Sequence, residues 1–304
     1  MSIVLITGGA GFIGSHIAEA LLDHEKILIL DNLSSGFERN IPESHNIEFV
    51  NGDIRDYVLV DQLFDRYSFT DIFHMAAVAS VQASVNNPSY TKTVNLDATY
   101  YLLEKARALP NLNRFIFPSS AAVYGNTAEL PNREDTMVNP ITPYALEKFA
   151  GERYCLLYAS LYNVPAVAFR FFNVYGERQN PKSDYSGVIS IFTDKLKNGE
   201  QAVIYGDGTQ TRDFIYVKDL VNIITNTRPE MIGNVFNIGT GIQTSIKDLF
   251  ECLAGTFGSD MLPVYQTARQ GDLLHSLAST EKLQGNSMLF KCLPLKDQIG
   301  RVSL

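Results

Sequence analysis

Residues 3–15 read Ile3-Val4-Leu5-Ile6-Thr7-Gly8-Gly9-Ala10-Gly11-Phe12-Ile13-Gly14-Ser15, an apolar run followed by three spaced glycines and an amphipathic stretch. This is the pattern of a strand that passes through a tight glycine turn into a helix. Gly8 permits the turn, Gly11 lets the backbone approach a pyrophosphate, and Gly14 lets the helix pack closely on the sheet. The start of the helix then faces the anion. A glycine triplet alone is weak evidence. Here the strand before it and the helix after it supply the context that a dinucleotide loop requires.

Working outward, the second apolar run ends in Asp31-Asn32. An acidic side chain there accepts hydrogen bonds from an adenosine ribose and repels a 2′-phosphate, which points to NAD rather than NADP. Asp53-Ile54 follows the third run in a similar place, with Asp53 suited to an adenine amine and Ile54 to packing on its ring. The alternation continues. Candidate strands at 27–30, 47–50, 72–75, 114–117 and 166–169 are separated by amphipathic stretches at 12–22, 56–67, 90–108 and 143–161. Continuous apolar strands separated by helices predict a doubly wound α/β fold, a parallel Rossmann sheet covered on both faces.

The rhythm breaks after Asn173. Residues 176–187 are rich in Gly, Asn, Pro and Ser and read as a long functional loop. Beyond it the order is mixed: a helix near 188–197, a turn at 206–208, a helix from Val217 and a strand at 235–238. The expected organisation is a dinucleotide-binding domain over 1–172, to which parts of 211–240 return. A smaller, interrupted substrate lobe covers 173–304.

With 45% hydrophobic and 19% charged residues among 304, the chain has the composition of a folded protein. Its 33 acidic and 25 basic residues give a net charge of −8, which disfavours nucleic acid or an anionic membrane as partner. Cys155, Cys252 and Cys292 form no disulfide framework, and neither they nor the five histidines show metal-ligand spacing. A reducing cytoplasm is the expected home. No apolar run reaches the ~20 residues a membrane span needs.

Tyr144-Ala-Leu-Glu-Lys148 follows Pro143 at the start of a helical stretch. The i, i+4 spacing puts phenol and ammonium on one helix face. A free tyrosine titrates near about 10, so a nearby lysine and a positive nicotinamide ring would be needed to make it a base. Ser120, in Ser119-Ser120-Ala121-Ala122-Val123-Tyr124-Gly125, falls at the end of the preceding strand and could share a substrate hydroxyl proton with Tyr144.

Taken together, these segments resemble an extended short-chain dehydrogenase/reductase, specifically the UDP-glucose/UDP-N-acetylglucosamine 4-epimerase family. The matching stretches are TGGAGFIGSH at 7–16, DNLSSG at 31–36, GDIRD at 52–56, HMAAVASVQASVNNP at 74–88 and SSAAVYG at 119–125. RFFNVYG at 170–176, TRDFIYVKDL at 211–220 and RQGDLLHS at 269–276 complete the set, which spans nearly the whole chain. The resemblance implies that Ser120, Tyr144 and Lys148 carry catalysis. It implies that Gly8, Gly11, Phe12, Ile13, Asp31, Asn32, Asp53, Ile54, Asn95, Tyr144 and Lys148 hold NAD. Asn173, Arg212, Arg269 and Asp272 would hold the UDP portion, with Ser84 near the sugar and Ser276 beside its 2-substituent. A small residue at 276 leaves room for an N-acetyl group. One departure stands out: many glucose-type relatives carry a lysine where this chain has Ala79.

The implied reaction is inversion at C4 of a UDP-hexose through a transient 4-keto sugar, with NAD reduced and reoxidised in place. UDP-glucuronate 4-epimerases, decarboxylases and 4,6-dehydratases share the first oxidation. The latter two expect acidic residues where Ala121 and Ala122 stand. A non-catalytic NAD-binding sensor would not need Tyr144 and Lys148. The family also implies a homodimer paired through the helices near 90–108 and 143–161.

Overall fold

A computed structural model describes residues 2–127, 129–180, 187–268, 274–286 and 295–299. The first half runs β1 (Ile3–Thr7), α1 (Phe12–Ala20), β2 (Lys26–Asp31), β3 (Ile47–Asn51), α2 (Tyr57–Arg66) and β4 (Asp71–His74). It continues through α3 (Val81–Asn86), α4 (Pro88–Lys92), α5 (Ala98–Arg107), β5 (Arg114–Ser120), α6 (Pro143–Tyr162) and β6 (Ala166–Phe171). The second half runs β7 (Asn173–Tyr175), α7 (Val188–Lys197), β8 (Val203–Tyr205), β9 (Thr211–Tyr216), α8 (Val217–Thr225) and β10 (Val235–Ile238). Then come β11 (Gln243–Ser245), α9 (Ile246–Phe257), β12 (Val264–Gln266), α10 (Glu281–Gly285) and α11 (Leu295–Gln298).

Seven parallel strands form the central sheet in the order β10-β6-β5-β4-β1-β2-β3. Successive strand residues point to opposite faces, so each strand feeds two cores. Leu5, Leu28, Phe115 and Phe117 meet Leu63 of α2, Leu102 of α5 and Tyr158 of α6 on one side. Val4, Ile6, Phe73 and Phe169 meet Ile17 of α1 and Leu220 and Ile224 of α8 on the other. The doubly wound reading of the sequence matches this architecture. Strand β10 pairs with β6, and α8 packs against α1, so part of the second half closes the sheet. A third core, built on Phe192, Ile204, Phe214 and Leu249, joins α7, α9 and two short sheets.

The stretch 90–108 is not one helix. Asn87 accepts a hydrogen bond from the Tyr90 amide and caps α4, with Pro88 at its first position. A π-helical turn then spans Thr93–Asp97 before α5 begins. The extra residue in that turn rotates Asn95 inward, where its side chain bonds Val78 and Glu147. Packing has overridden simple helical continuity.

Helix α6 is fixed to the sheet by a buried ion pair. Arg170 of β6 donates to both oxygens of Glu152, at 2.9 and 2.7 Å, and Ser119 of β5 donates to the same carboxylate at 2.8 Å. Arg170 also donates to the Tyr124 hydroxyl, which donates in turn to Asn237 of β10. No helix among the described residues is long and apolar enough to cross a membrane.

Candidate active site

At the carboxyl ends of β1 and β4, where the strand order reverses, lies a cleft of about 510 Å³. Its floor is the glycine turn. Gly8 has a φ of +69°, and a Cβ there would lie 2.6 Å from the Ala76 nitrogen. A Cβ on Gly14 would lie 2.2 Å from the Gly8 oxygen. Phe12, Ile13 and Gly14 line the cleft, and no side chain caps α1. The start of that helix therefore presents backbone donors to an anion.

Asp31 is buried at the end of β2 and braces the turn. It accepts from the Ala10 amide at 2.9 Å and the Leu33 amide at 2.8 Å. Burial pushes its carboxyl up, and these amide bonds pull it partly back. Asp53 also lines the cleft. Its Oδ1 takes the Arg55 amide and Nε, and its Oδ2 takes Arg55 Nη2 and Asn32 Nδ2. Arg55 holds the carboxyl down at about 2. These bonds hold Arg55 and Asn32 against Asp53. Ile54 lines the cleft beside it.

The reactive end is built by α6. Thr142 accepts from the Ala145 amide and Ser84 from the Tyr144 amide, at 3.2 and 3.1 Å, so two first-turn donors are satisfied and the tyrosine is seated. Ser120, Tyr144 and Lys148 all line the cleft, and the Ser120 hydroxyl accepts from the Ala122 amide at 3.2 Å. The Lys148 ammonium lies 5.2 Å from the centre of the Phe117 ring, and burial draws it down to about 8. Tyr144 moves the other way. Burial pushes the phenol up, the nearby Ser120 hydroxyl pulls it partly back, and Glu147 raises it. Loss of water is the largest of these influences, so the phenol stays above its usual range.

Two expected contact residues stand one layer back. Ser84 is fully buried beneath the start of α6, outside the cleft lining. Asn95 lies behind Val78: its Oδ1 accepts from the Val78 amide, and its Nδ2 donates to the Val78 carbonyl and to Glu147. At the far end of the cleft, Asn173, Arg212 and Ser276 face the same space. The Ser276 amide donates to the Thr211 carbonyl at 3.2 Å, which sets it beside the strand that carries Arg212. Arg269 and Asp272 lie outside the described residues, as do 181–186 of the expected loop.

The sequence reading passed over Arg178 and Gln179, which also line the cleft. Arg178 is a cation on the cleft lining, ion-paired to Glu19 of α1 at 2.6 Å. Gln179 Oε1 is a buried acceptor with no partner among the described residues, suited to a polar ligand. The signal for both was the polar run after Gly176. The glycine cradle, the uncapped helix and this acceptor together fit a dinucleotide.

The chain matches the model of the NAD dependent epimerase/dehydratase family over residues 4–239. It belongs to that family. It is 40% identical to a putative UDP-glucose 4-epimerase of Methanocaldococcus jannaschii, over 98% of this chain and 96% of that protein. Among solved structures it is similar to a UDP-N-acetylglucosamine 4-epimerase from Methanobrevibacter ruminantium in complex with UDP-N-acetylmuramic acid. The TM-score is 0.91 and the identity 38%, covering 99% of this chain and 95% of that one. A UDP-glucose 4-epimerase from Thermotoga maritima with UDP-glucose has a TM-score of 0.88 and 35% identity, covering 93% and 91%.

In a family built on this cradle, the tightest point should fail first. Gly14→Ala should lower thermal stability by about 1–3 kcal/mol, because the clash is with backbone that cannot rotate away. Gly255→Ala, where nothing lies within 4 Å of a built Cβ, should be neutral or stabilising in the same melting experiment.

Proposed function

We propose that the protein interconverts UDP-hexoses at C4 with NAD held throughout, taking UDP-N-acetylglucosamine and UDP-N-acetylgalactosamine as well as or instead of UDP-glucose and UDP-galactose. The observation that carries the reaction is that Tyr144, Ser120 and buried Lys148 line one cleft with the glycine cradle. Bound NAD supplies a hydride acceptor and donor for C4 and, while oxidised, a positive charge that favours the Tyr144 phenolate. Tyr144 takes the 4-hydroxyl proton and later returns it. Ser120 holds the hydroxyl during the transfer, and the Lys148 ammonium stabilises the phenolate. Ala121 and Ala122 line the cleft at the end of β5 and offer no acid for chemistry at C5 or C6.

Buried Ser276 supports the wider sugar range, since it forms cleft wall near Arg212 with a short side chain. Asn173 and Arg212 suit the uridine diphosphate end, where a guanidinium fork matches a phosphate. Exposed Tyr100, Tyr154, Leu157, Leu161 and Tyr162 on α5 and α6 support a homodimer through those helices. The free Cys155 and Cys252 fit a reducing cytoplasm.

Tyr144→Phe should keep the fold and bound NAD while losing about 10²–10⁴-fold in kcat, the usual reach of general base catalysis. Retention of more than about a tenth of the wild-type rate would remove Tyr144 from that role. Ser276→Tyr should cut kcat/KM for UDP-N-acetylglucosamine about tenfold or more, the effect of overfilling a pocket, while sparing UDP-glucose. Equal losses on both sugars would contradict the wall assignment.

A further inference from the structure

Asp213 has no part in the proposed reaction, yet it is wholly buried and sits between Arg212 and Phe214, two residues of the cleft lining. Alternation along β9 turns its side chain away from the cleft. The carboxylate meets four donors, all of them neutral. Oδ1 accepts from the Thr240 amide and the Thr240 hydroxyl, each at 2.7 Å. Oδ2 accepts from the Gly241 amide at 2.9 Å and the Ala278 amide at 3.1 Å. Three parts of the chain therefore converge on one side chain: β9, the turn after β10, and the stretch 274–278. The fit is close, since a Cβ on Gly239 would lie 2.8 Å from Oδ2 and 2.7 Å from the Ala278 Cβ.

The stretch 274–278 is held along β9 by bonds of two kinds. The Leu274 carbonyl accepts from the Thr211 amide at 3.0 Å, and the Thr211 carbonyl accepts from the Ser276 amide at 3.2 Å. These are the bonds of an ordinary parallel bridge. At Ala278 the amide goes to the Asp213 side chain instead, while the Asp213 carbonyl accepts from Asn173 Nδ2 at 3.2 Å. The residues given to the diphosphate end all hang on this short run. Arg212 Nη1 donates to the Thr211 carbonyl at 2.9 Å, the same oxygen that takes the Ser276 amide. The guanidinium and the wall beside it share one acceptor, so their spacing depends on what keeps 274–278 in place.

We propose that Asp213 is the positioning residue for the diphosphate end of the cleft: its carboxylate docks 274–278 and the turn after β10 onto β9, so that Arg212 and Ser276 are set before a ligand arrives. This rests on the roles given above to Arg212 and Ser276. Asn132 also holds the stretch, taking the Ser279 amide at 2.8 Å and giving its own amide to the Leu277 carbonyl at 2.7 Å. That contact ties 277–279 to the chain before α6, whereas Asp213 ties them to the strand that bears Arg212. A buried amide left without an acceptor is costly, so loss of the carboxylate should release the stretch rather than leave it where it is. Ligand binding would then have to order it again, at a cost in affinity.

Asp213→Ala removes the acceptor, and Asp213→Asn keeps its size but turns an NH2 group towards one pair of donors. Calorimetry on the NAD-loaded variants should show the dissociation constant for uridine diphosphate raised by about tenfold or more, the effect of one buried amide left unpaired. KM for the UDP-sugar should rise with it, while kcat stays within about threefold of the unaltered protein and bound NAD is retained. Amide hydrogen exchange over 274–279 should become faster. Should Asp213→Ala fail to fold, Asp213→Asn decides. Unchanged affinity for uridine diphosphate in a folded variant overturns the proposal, and so does a fall of kcat and bound NAD in step with that affinity. Failure of the unaltered protein to bind uridine diphosphate would instead defeat the proposed function. Hydrogen exchange would then still decide whether Asp213 holds the stretch, and unchanged rates over 274–279 would overturn that.

Discussion

The bidentate contact between Arg170 and Glu152 holds the rest of the arrangement in place. It is buried, and it joins β6 to the middle of α6. Leaving either charge alone in that position costs about 3–5 kcal/mol, so the helix has one acceptable seat on the sheet. Ser119 is bonded to the same carboxylate, which fixes the end of β5 relative to α6. The next residue along the strand is Ser120, and the first turn of the helix carries Tyr144. Their shared place on the cleft follows from a registration set some two helical turns away. The same network reaches β10 through Tyr124 and Asn237, and Asn237 bonds the carbonyls of Asn132 and Ser279. The wall that carries Ser276 is thus tied to the strands that carry the reactive groups.

A second constraint is the cost of keeping ionisable groups dry. Tyr144 and Lys148 are both taken out of water, and burial drives each towards its neutral form. A positive charge beside the phenol would oppose the effect of burial on Tyr144 and favour its phenolate. Preorganised groups then act without rearranging, which is where electrostatic stabilisation is most effective. Ala121, Ala122 and Ser276 place short side chains on the cleft wall, with no acid or base at those three positions. Selectivity for chemistry at C4 comes as much from what the walls lack as from what they carry.

The sheet was legible because its strands are buried on both faces and so appear as unbroken apolar runs. Runs such as Ile27–Leu30 and Ala166–Phe169 have no other economical reading. The short strands β7, β8, β11 and β12 were not legible: three residues of mixed polarity carry no period. Helix α9 was passed over although Ser245 caps its start and Gly258 takes the left-handed position at its end. The cradle, Asp31, Ser120, Tyr144 and Lys148 could be placed because each sits at a strand end or on a helix turn. Asn95 and Ser84 were read as contact residues, yet both face inward. A sequence shows that a polar side chain is present, and only packing shows which way it turns. Glu147 was invisible for the same reason, since a glutamate on a helix is ordinarily solvated.

The central claim is that hydrogen leaves C4 and returns to it without meeting water. The direct measurement uses the C4-deuterated form of whichever UDP-sugar the protein turns over, in ordinary water, with the product examined by mass spectrometry and NMR. The account predicts an epimerised product that keeps its deuterium at C4. Replacement of that deuterium by solvent hydrogen during turnover would contradict it.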